Sequence, residues 1–114
     1  MSDRSPAPGA LSIACVIDNG TASLALEGEL DLATAATLEQ RLGELEDGGS
    51  THLMVDLAGL AFIDSTGLRV LLQANARAQE HGHKLTLCPG SETVQRVFEV
   101  TGVQDALRFV PRPA

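Results

Sequence analysis

Four consecutive residues, Asp64-Ser65-Thr66-Gly67, gather more potential chemistry than any other stretch of this chain. They follow an apolar run, Ala61-Phe62-Ile63, that reads as buried, and they precede a segment patterned as a helix. A hydroxyl at such a junction lies at the positive end of the helix. Free backbone N–H groups and the aligned peptide dipoles both favour an anion there. Ser65 or Thr66 is therefore either a cap that starts the helix or an acceptor built to carry a phosphate. Ser, Thr and Asp are all favoured caps, so these four residues leave both readings open. Two neighbours weigh against a plain cap. Gly67 early in a helix costs up to about 1 kcal/mol against alanine, which points to something approaching the backbone closely. Arg69 sets a positive charge near the positive end of the dipole, unfavourable unless Asp64 or a visiting anion offsets it.

Catalytic readings of the same residues fail on spacing. Asp-Ser-Thr-Gly is neither Asp-Thr-Gly nor Asp-Ser-Gly, so an aspartic-protease half-site would need a residue removed. Ser65 is not framed by Gly-x-Ser-x-Gly, and His52, His81 and His83 have no evident route to it. The chain contains no Gly-x-x-x-x-Gly-Lys-Ser/Thr phosphate loop. His81-Gly82-His83 reads as a helix-end turn without the cysteines or carboxylates of a metal site. Cys15 and Cys88 fall in strand-like runs and read as buried thiols acting as small hydrophobes. No enzyme activity, cofactor or metal is expected. A second acidic cluster, Glu27, Glu29 and Asp31 around Gly28, stands where a strand enters a loop and reads as a solvated strand end.

These residues need elements to position them. Leu11–Ile17 and Ala22–Leu26 alternate apolar and polar and are separated by Asp18-Asn19-Gly20, a strong hairpin signal because a type I′ turn needs positive φ at both central residues. From Thr34 to about Asp47, Leu38, Leu42 and Leu45 recur at i, i+4 and i+7, an amphipathic helix capped by Asp31 or Thr34 and ended by Gly48-Gly49. His52–Leu57 reads as a strand covered on both faces. The next helix runs from about Thr66 to His81 with Leu68, Leu71, Leu72, Asn75, Ala76 and Ala78 inward, and Gly82 closes it. Lys84–Cys88 is a further strand, stopped by Pro89-Gly90. Ser91-Glu92 opens a third helix that faces Val94, Val97 and Phe98 inward, and Leu107–Val110 is a candidate last strand. Strands alternating with helices after a hairpin predict an α/β sandwich with a mixed sheet of four to five strands and right-handed crossovers.

Composition sets the outer limits. With 114 residues, 44% apolar and 20% charged, the chain is expected to be one soluble domain, residues 11–110, between a disordered leader (1–10) and a short tail (111–114). Three Phe with neither Trp nor Tyr require an aliphatic core and remove the stacking platforms of a single-strand nucleic-acid binder. A net charge of −7 with the single lysine Lys84 leaves no basic footprint, so nucleic acid is not expected as a partner, whereas a basic protein surface fits. No apolar run is long enough to span a bilayer and no secretory segment opens the chain, so no membrane partner and a cytoplasmic location are expected.

Taken together, Gly28-Glu29-Leu30-Asp31 before Thr34 and Ala35, then Val55-Asp56-Leu57, then Phe62-Ile63-Asp64-Ser65-Thr66-Gly67-Leu68, resemble the STAS domain, and within it the bacterial anti-sigma factor antagonists. The likeness runs from about residue 11 to residue 110. It implies a mixed sheet with helices packed mainly on one face. It also implies that Ser65 is the phosphoacceptor of an anti-sigma factor with serine-kinase activity, which uses ATP. The unphosphorylated form would bind that anti-sigma factor and free the sigma factor. A metal-dependent serine/threonine phosphatase would reset the switch. The partner-facing surface would comprise Asp64, Thr66, Gly67 and Arg69 with Gly28, Glu29, Asp31 and Thr34, Asp31 foremost. The same family also contains scaffolds and subunits of stress-signalling or lipid-transport complexes. A receiver domain phosphorylated on Asp56 is a further α/β alternative, but its acidic pair and downstream lysine are missing.

Overall fold

The computed structural model describes residues 9–112; the expected leader lies, for residues 1–8, outside the described residues. β1 (Leu11–Asp18) and β2 (Thr21–Leu30) form an antiparallel hairpin. Its turn residues Asn19 and Gly20 have φ of 50° and 80°, as an Asn-Gly turn of the primed kind requires. α1 (Ala35–Asp47) carries the chain to β3 (His52–Ile63), and α2 (Ser65–Glu80) carries it to β4 (Lys84–Cys88). α3 (Glu92–Thr101) follows. The sheet order is β1-β2-β3-β4, with β2, β3 and β4 mutually parallel.

Register explains the single apolar layer. Cys15, Leu24, Val55 and Leu87 are aligned across the four strands on one face, and that face takes the buried residues of the helices: Leu38 and Leu42 of α1, Leu71 and Ala74 of α2, Val94 and Phe98 of α3. The other face bears Val16, Ser23, Met54 and Thr86, and Val16 is exposed there. Cover on one side accounts for the alternation of β2, whereas β4 is buried on both faces from Leu85 to Cys88.

Four sequence expectations need correction. β3 does not stop at Leu57 but continues to Ile63, because register shifts opposite Ala25–Glu29 break the two-residue periodicity without ending the pairing. On α2 the inner stripe is Leu68, Val70, Leu71, Ala74 and Ala78; Ala76 is exposed, and half-buried Asn75 instead donates from Nδ2 to the Ala106 carbonyl at 3.0 Å. Leu107–Val110 forms no strand but one bridge, Phe109 to Leu87, preceded by a 3₁₀ turn at Gln104–Ala106. Pro111 has no N–H to extend that ladder. Arg112, expected in a tail, folds back so that Nε and Nη2 each donate to the Asp56 carboxylate at 2.9 Å.

Candidate functional site

Parallel pairing decides where the site lies. Leu30 and Ile63 are paired at the ends of β2 and β3, so the loops that follow them leave the same edge of the sheet side by side. The Asp64 N–H donates to the Leu30 carbonyl at 3.1 Å and ties the second loop to the first strand. Such carboxyl-end loops are the usual seat of function in α/β sheets.

Asp64 is the cap of α2. Its extended backbone turns the carboxylate onto the first turn, where Oδ1 accepts from the N–H groups of Thr66 (2.9 Å) and Gly67 (3.0 Å). Oδ2 reaches across to accept from the Leu32 N–H at 3.2 Å. One carboxylate thus caps the helix and fastens the β2–α1 loop beside it. Ser65, the first helical residue, is left exposed, and its hydroxyl makes no hydrogen bond to any described residue. Asp64, and neither Ser65 nor Thr66, caps the helix, which leaves the Ser65 hydroxyl without a capping role. Thr66 is half-buried.

Gly67 is buried, and the close approach its position implied comes from the protein itself. A Cβ there would lie 2.7 Å from Leu30 Cγ and 2.9 Å from the Leu30 carbonyl oxygen. The helix start is packed directly on the end of β2. Arg69 is exposed and forms no ion pair among the described residues; the Asp64 carboxylate accepts from backbone amides.

The neighbouring loop is built with equal economy. Gly28 has φ of +105° at a register shift in β2, a conformation that side chains rarely adopt, and it turns the strand end. Thr34 is buried; its Oγ1 accepts from the Asp31 N–H at 3.0 Å and donates to the Glu29 carbonyl at 2.8 Å. Asp31 Oδ1 returns the favour to the N–H groups of Ala33 (3.0 Å) and Thr34 (3.2 Å). Half-buried Glu29 accepts from the Gly9 N–H at 3.0 Å. The eight residues singled out around Ser65 therefore gather at two adjacent junctions. Gly28 and Glu29 lie at the end of β2, Asp31 and Thr34 in the loop after it, Asp64 is the cap of α2, and Thr66, Gly67 and Arg69 stand at the start of that helix, with Gly67 and Thr34 buried and shaping the surface from below.

Two residues escaped the sequence reading. Leu32 is 78% exposed and Phe62 46% exposed, and both flank the Asp64-Ser65 turn. Phe62 looked buried because it lies in an apolar run, yet it is paired with Glu29 on the sheet face away from the helices, and Ala61 is exposed as well. An apolar residue immediately after Gly-Glu-Leu-Asp, outside any periodic segment, was the available signal for Leu32. Asp56, by contrast, sits mid-strand, and the hydrogen bonds from Arg112 hold its carboxyl below the usual range. Among the described residues no group of three His, Cys, Asp or Glu is placed to hold a metal ion, and no helix is long and apolar enough to cross a membrane.

Comparison with known proteins places this architecture. A family model of the STAS domain matches residues 12–113. The anti-sigma-F factor antagonist RsfB of Mycobacterium tuberculosis is 31% identical over 103 residues, which cover 90% of this chain and 84% of that protein. An anti-sigma factor antagonist of Mycobacterium paratuberculosis superposes with a TM-score of 0.79 at 24% identity, covering 93% of this chain and 90% of that one. The anti-sigma factor antagonist SpoIIAA in its unphosphorylated form gives 0.74 at 21% identity, covering 90% of each chain. The Bacillus SpoIIAA in its phosphorylated form gives 0.68 at 20%, covering 90% and 93%. With the sheet order, the capped helix and the two joined loops on the same edge, this chain belongs to the STAS domain family, among its anti-sigma factor antagonists.

Proposed function

We propose that this protein is a phosphorylation-controlled antagonist of an anti-sigma factor and that Ser65 is the phosphoacceptor. The observation that carries the reading is the division of labour at the start of α2: Asp64 caps the helix, so the exposed Ser65 hydroxyl has no structural duty. An anti-sigma factor with serine-kinase activity docks on the two loops and transfers the γ-phosphoryl of ATP to Ser65 Oγ, releasing ADP and the hydroxyl proton. A serine/threonine phosphatase hydrolyses the ester and restores the binding form. The protein itself acts by binding, without catalysis, in the cytoplasm where a sigma factor works. That SpoIIAA is described in both an unphosphorylated and a phosphorylated form supports the same chemistry here.

The electrostatics fit a switch that needs no refolding. A phosphate adds about −1.5 to −2 charge at neutral pH. On Ser65 it projects to solvent and displaces none of the hydrogen bonds of the turn. Beside Asp64, on a chain of net charge −7, it opposes docking by repulsion and desolvation. A loss of about 3 kcal/mol weakens affinity more than a hundredfold.

The test is direct. The purified chain is incubated with its candidate anti-sigma kinase and ATP, and the phosphate is mapped by mass spectrometry. Label on Ser65 that disappears in Ser65→Ala, together with partner binding lost on phosphorylation, supports the proposal. Label at Thr66 or elsewhere, or binding indifferent to the phosphate, refutes it.

A further inference from the structure

We propose that, once Ser65 carries a phosphate, Arg69 becomes its ion-pair partner, so that phosphorylation also withdraws from the surface the free cation beside the switch. The inference rests on Ser65 being the phosphoacceptor and goes on to say where the phosphate is held.

Ser65 is the first residue of α2 and Arg69 the fifth. Side chains at i and i+4 share a helix face, with Cβ atoms about 5–6 Å apart, which a long arginine and a phosphorylated serine easily span. Both are exposed. Arg41, Arg77 and Arg112 each face a carboxylate, on Glu44, Glu46 and Asp56 respectively, but Arg69, like Arg96 and Arg108, has none among the described residues. The first turn of α2 contains no acidic residue, and the capping Asp64 carboxylate forms no ion pair with Arg69, so this cation stands at the wrong end of the helix dipole without a paired anion among the described residues.

The usual receptor for an anion at this place is already occupied. The Thr66 and Gly67 amides donate to Asp64 Oδ1, and the same carboxylate puts its own negative charge on the N-terminal side of Ser65. A phosphate on Ser65 is thus denied those amides and repelled from Asp64. The guanidinium one turn further on attracts it, and a planar N–H fork suits phosphate oxygens. An acid four residues N-terminal to a base is also the favoured orientation of a helical pair. Phosphorylation therefore turns an unfavourably placed arginine into a favourable partner. In the unphosphorylated chain Arg69 is free to meet an acidic group of the anti-sigma factor; in the phosphorylated chain it is spent internally.

The experiment uses the full chain with phosphoserine installed at position 65 during translation, alone and with Arg69→Gln or Arg69→Lys. Phosphorus NMR follows the second ionisation of the phosphate, ordinarily near pH 6. The expected result is an ionisation about half a pH unit lower in the arginine chain than in Arg69→Gln at low salt, as an exposed ion pair provides. Arg69→Lys recovers much of the shift, and high salt closes the gap. Identical titrations of the arginine and glutamine chains overturn the proposal. Because the phosphate is placed by translation, a kinase that never labels Ser65 counts against the switch alone, and equal titrations count against the Arg69 pairing alone.

Discussion

Ser65 and Asp64 are adjacent, chemically similar as caps, and opposite in consequence when changed. Ser65→Ala removes an exposed hydroxyl with no structural partner among the described residues, so its stability stays within about 0.5 kcal/mol of the parent. Asp64→Ala deletes the cap and the bond to the Leu32 amide and costs about 1–2 kcal/mol. Urea denaturation of the two variants measures the contrast; equal losses would mean that the serine shares the capping. Gly67→Ala tests the packing beneath them. Helix propensity alone favours alanine by about 1 kcal/mol. The new methyl would meet the Leu30 carbonyl at 2.9 Å, and backbone cannot step aside as a side chain can. Overpacking of about 1–3 kcal/mol therefore wins and the variant is destabilised; a higher melting temperature would contradict this.

At the scale of elements, the two loops form the surface on which the proposed docking depends. Leu32 and Phe62 offer exposed apolar surface within an acidic setting of Glu27, Glu29 and Asp31. Leu32→Ala and Phe62→Ala should each weaken binding of the anti-sigma factor about tenfold, the usual scale for truncating an interface anchor, and leave the melting temperature unchanged. Unchanged affinity in both variants would move the interface elsewhere. These two residues also mark the limit of what the sequence made legible. The hairpin, the three helices and the Asp-Ser-Thr-Gly turn were readable because each has a local cause: positive φ at Asn19-Gly20, leucines at helical spacing, a cap before a helix. The exposure of Phe62, the overrun of β3 and the burial of Thr34 depend on which strand lies alongside, and that is a property of the fold rather than of the segment. Gly67 shows both sides, since the sequence signalled a close approach but not that Leu30 makes it.

Across the whole molecule, charge groups far from the switch set the response to pH. His52 lies on the sheet face away from the helices, its Nε2 2.9 Å from Thr86 Oγ1, and burial, with Lys84 second, lowers its pKa below 6.5. The folded state then binds fewer protons than the unfolded state just below pH 6.5, so stability falls as the pH drops through that region. Relative to His52→Gln the parent should lose melting temperature below pH 6.5, and NMR of the His52 ring should show titration below that value; a midpoint above it would reverse the sign. Asp56 behaves in the ordinary acidic sense: Arg112 depresses its pKa, so its contribution is present above about pH 4 and is lost as the pH falls through the folded value. The parallel pairing of Leu30 with Ile63 has a last consequence. It makes the proposed recognition surface a discontinuous epitope, assembled from segments thirty-odd positions apart that meet only in the folded sheet. A synthetic peptide spanning residues 60–72 carries Ser65, the proposed phosphoacceptor, but not its companion loop, and a kinase that labels the intact chain should leave the peptide unlabelled. Under the proposed function, regulation is then confined to folded molecules, and a nascent or damaged chain would be invisible to the circuit.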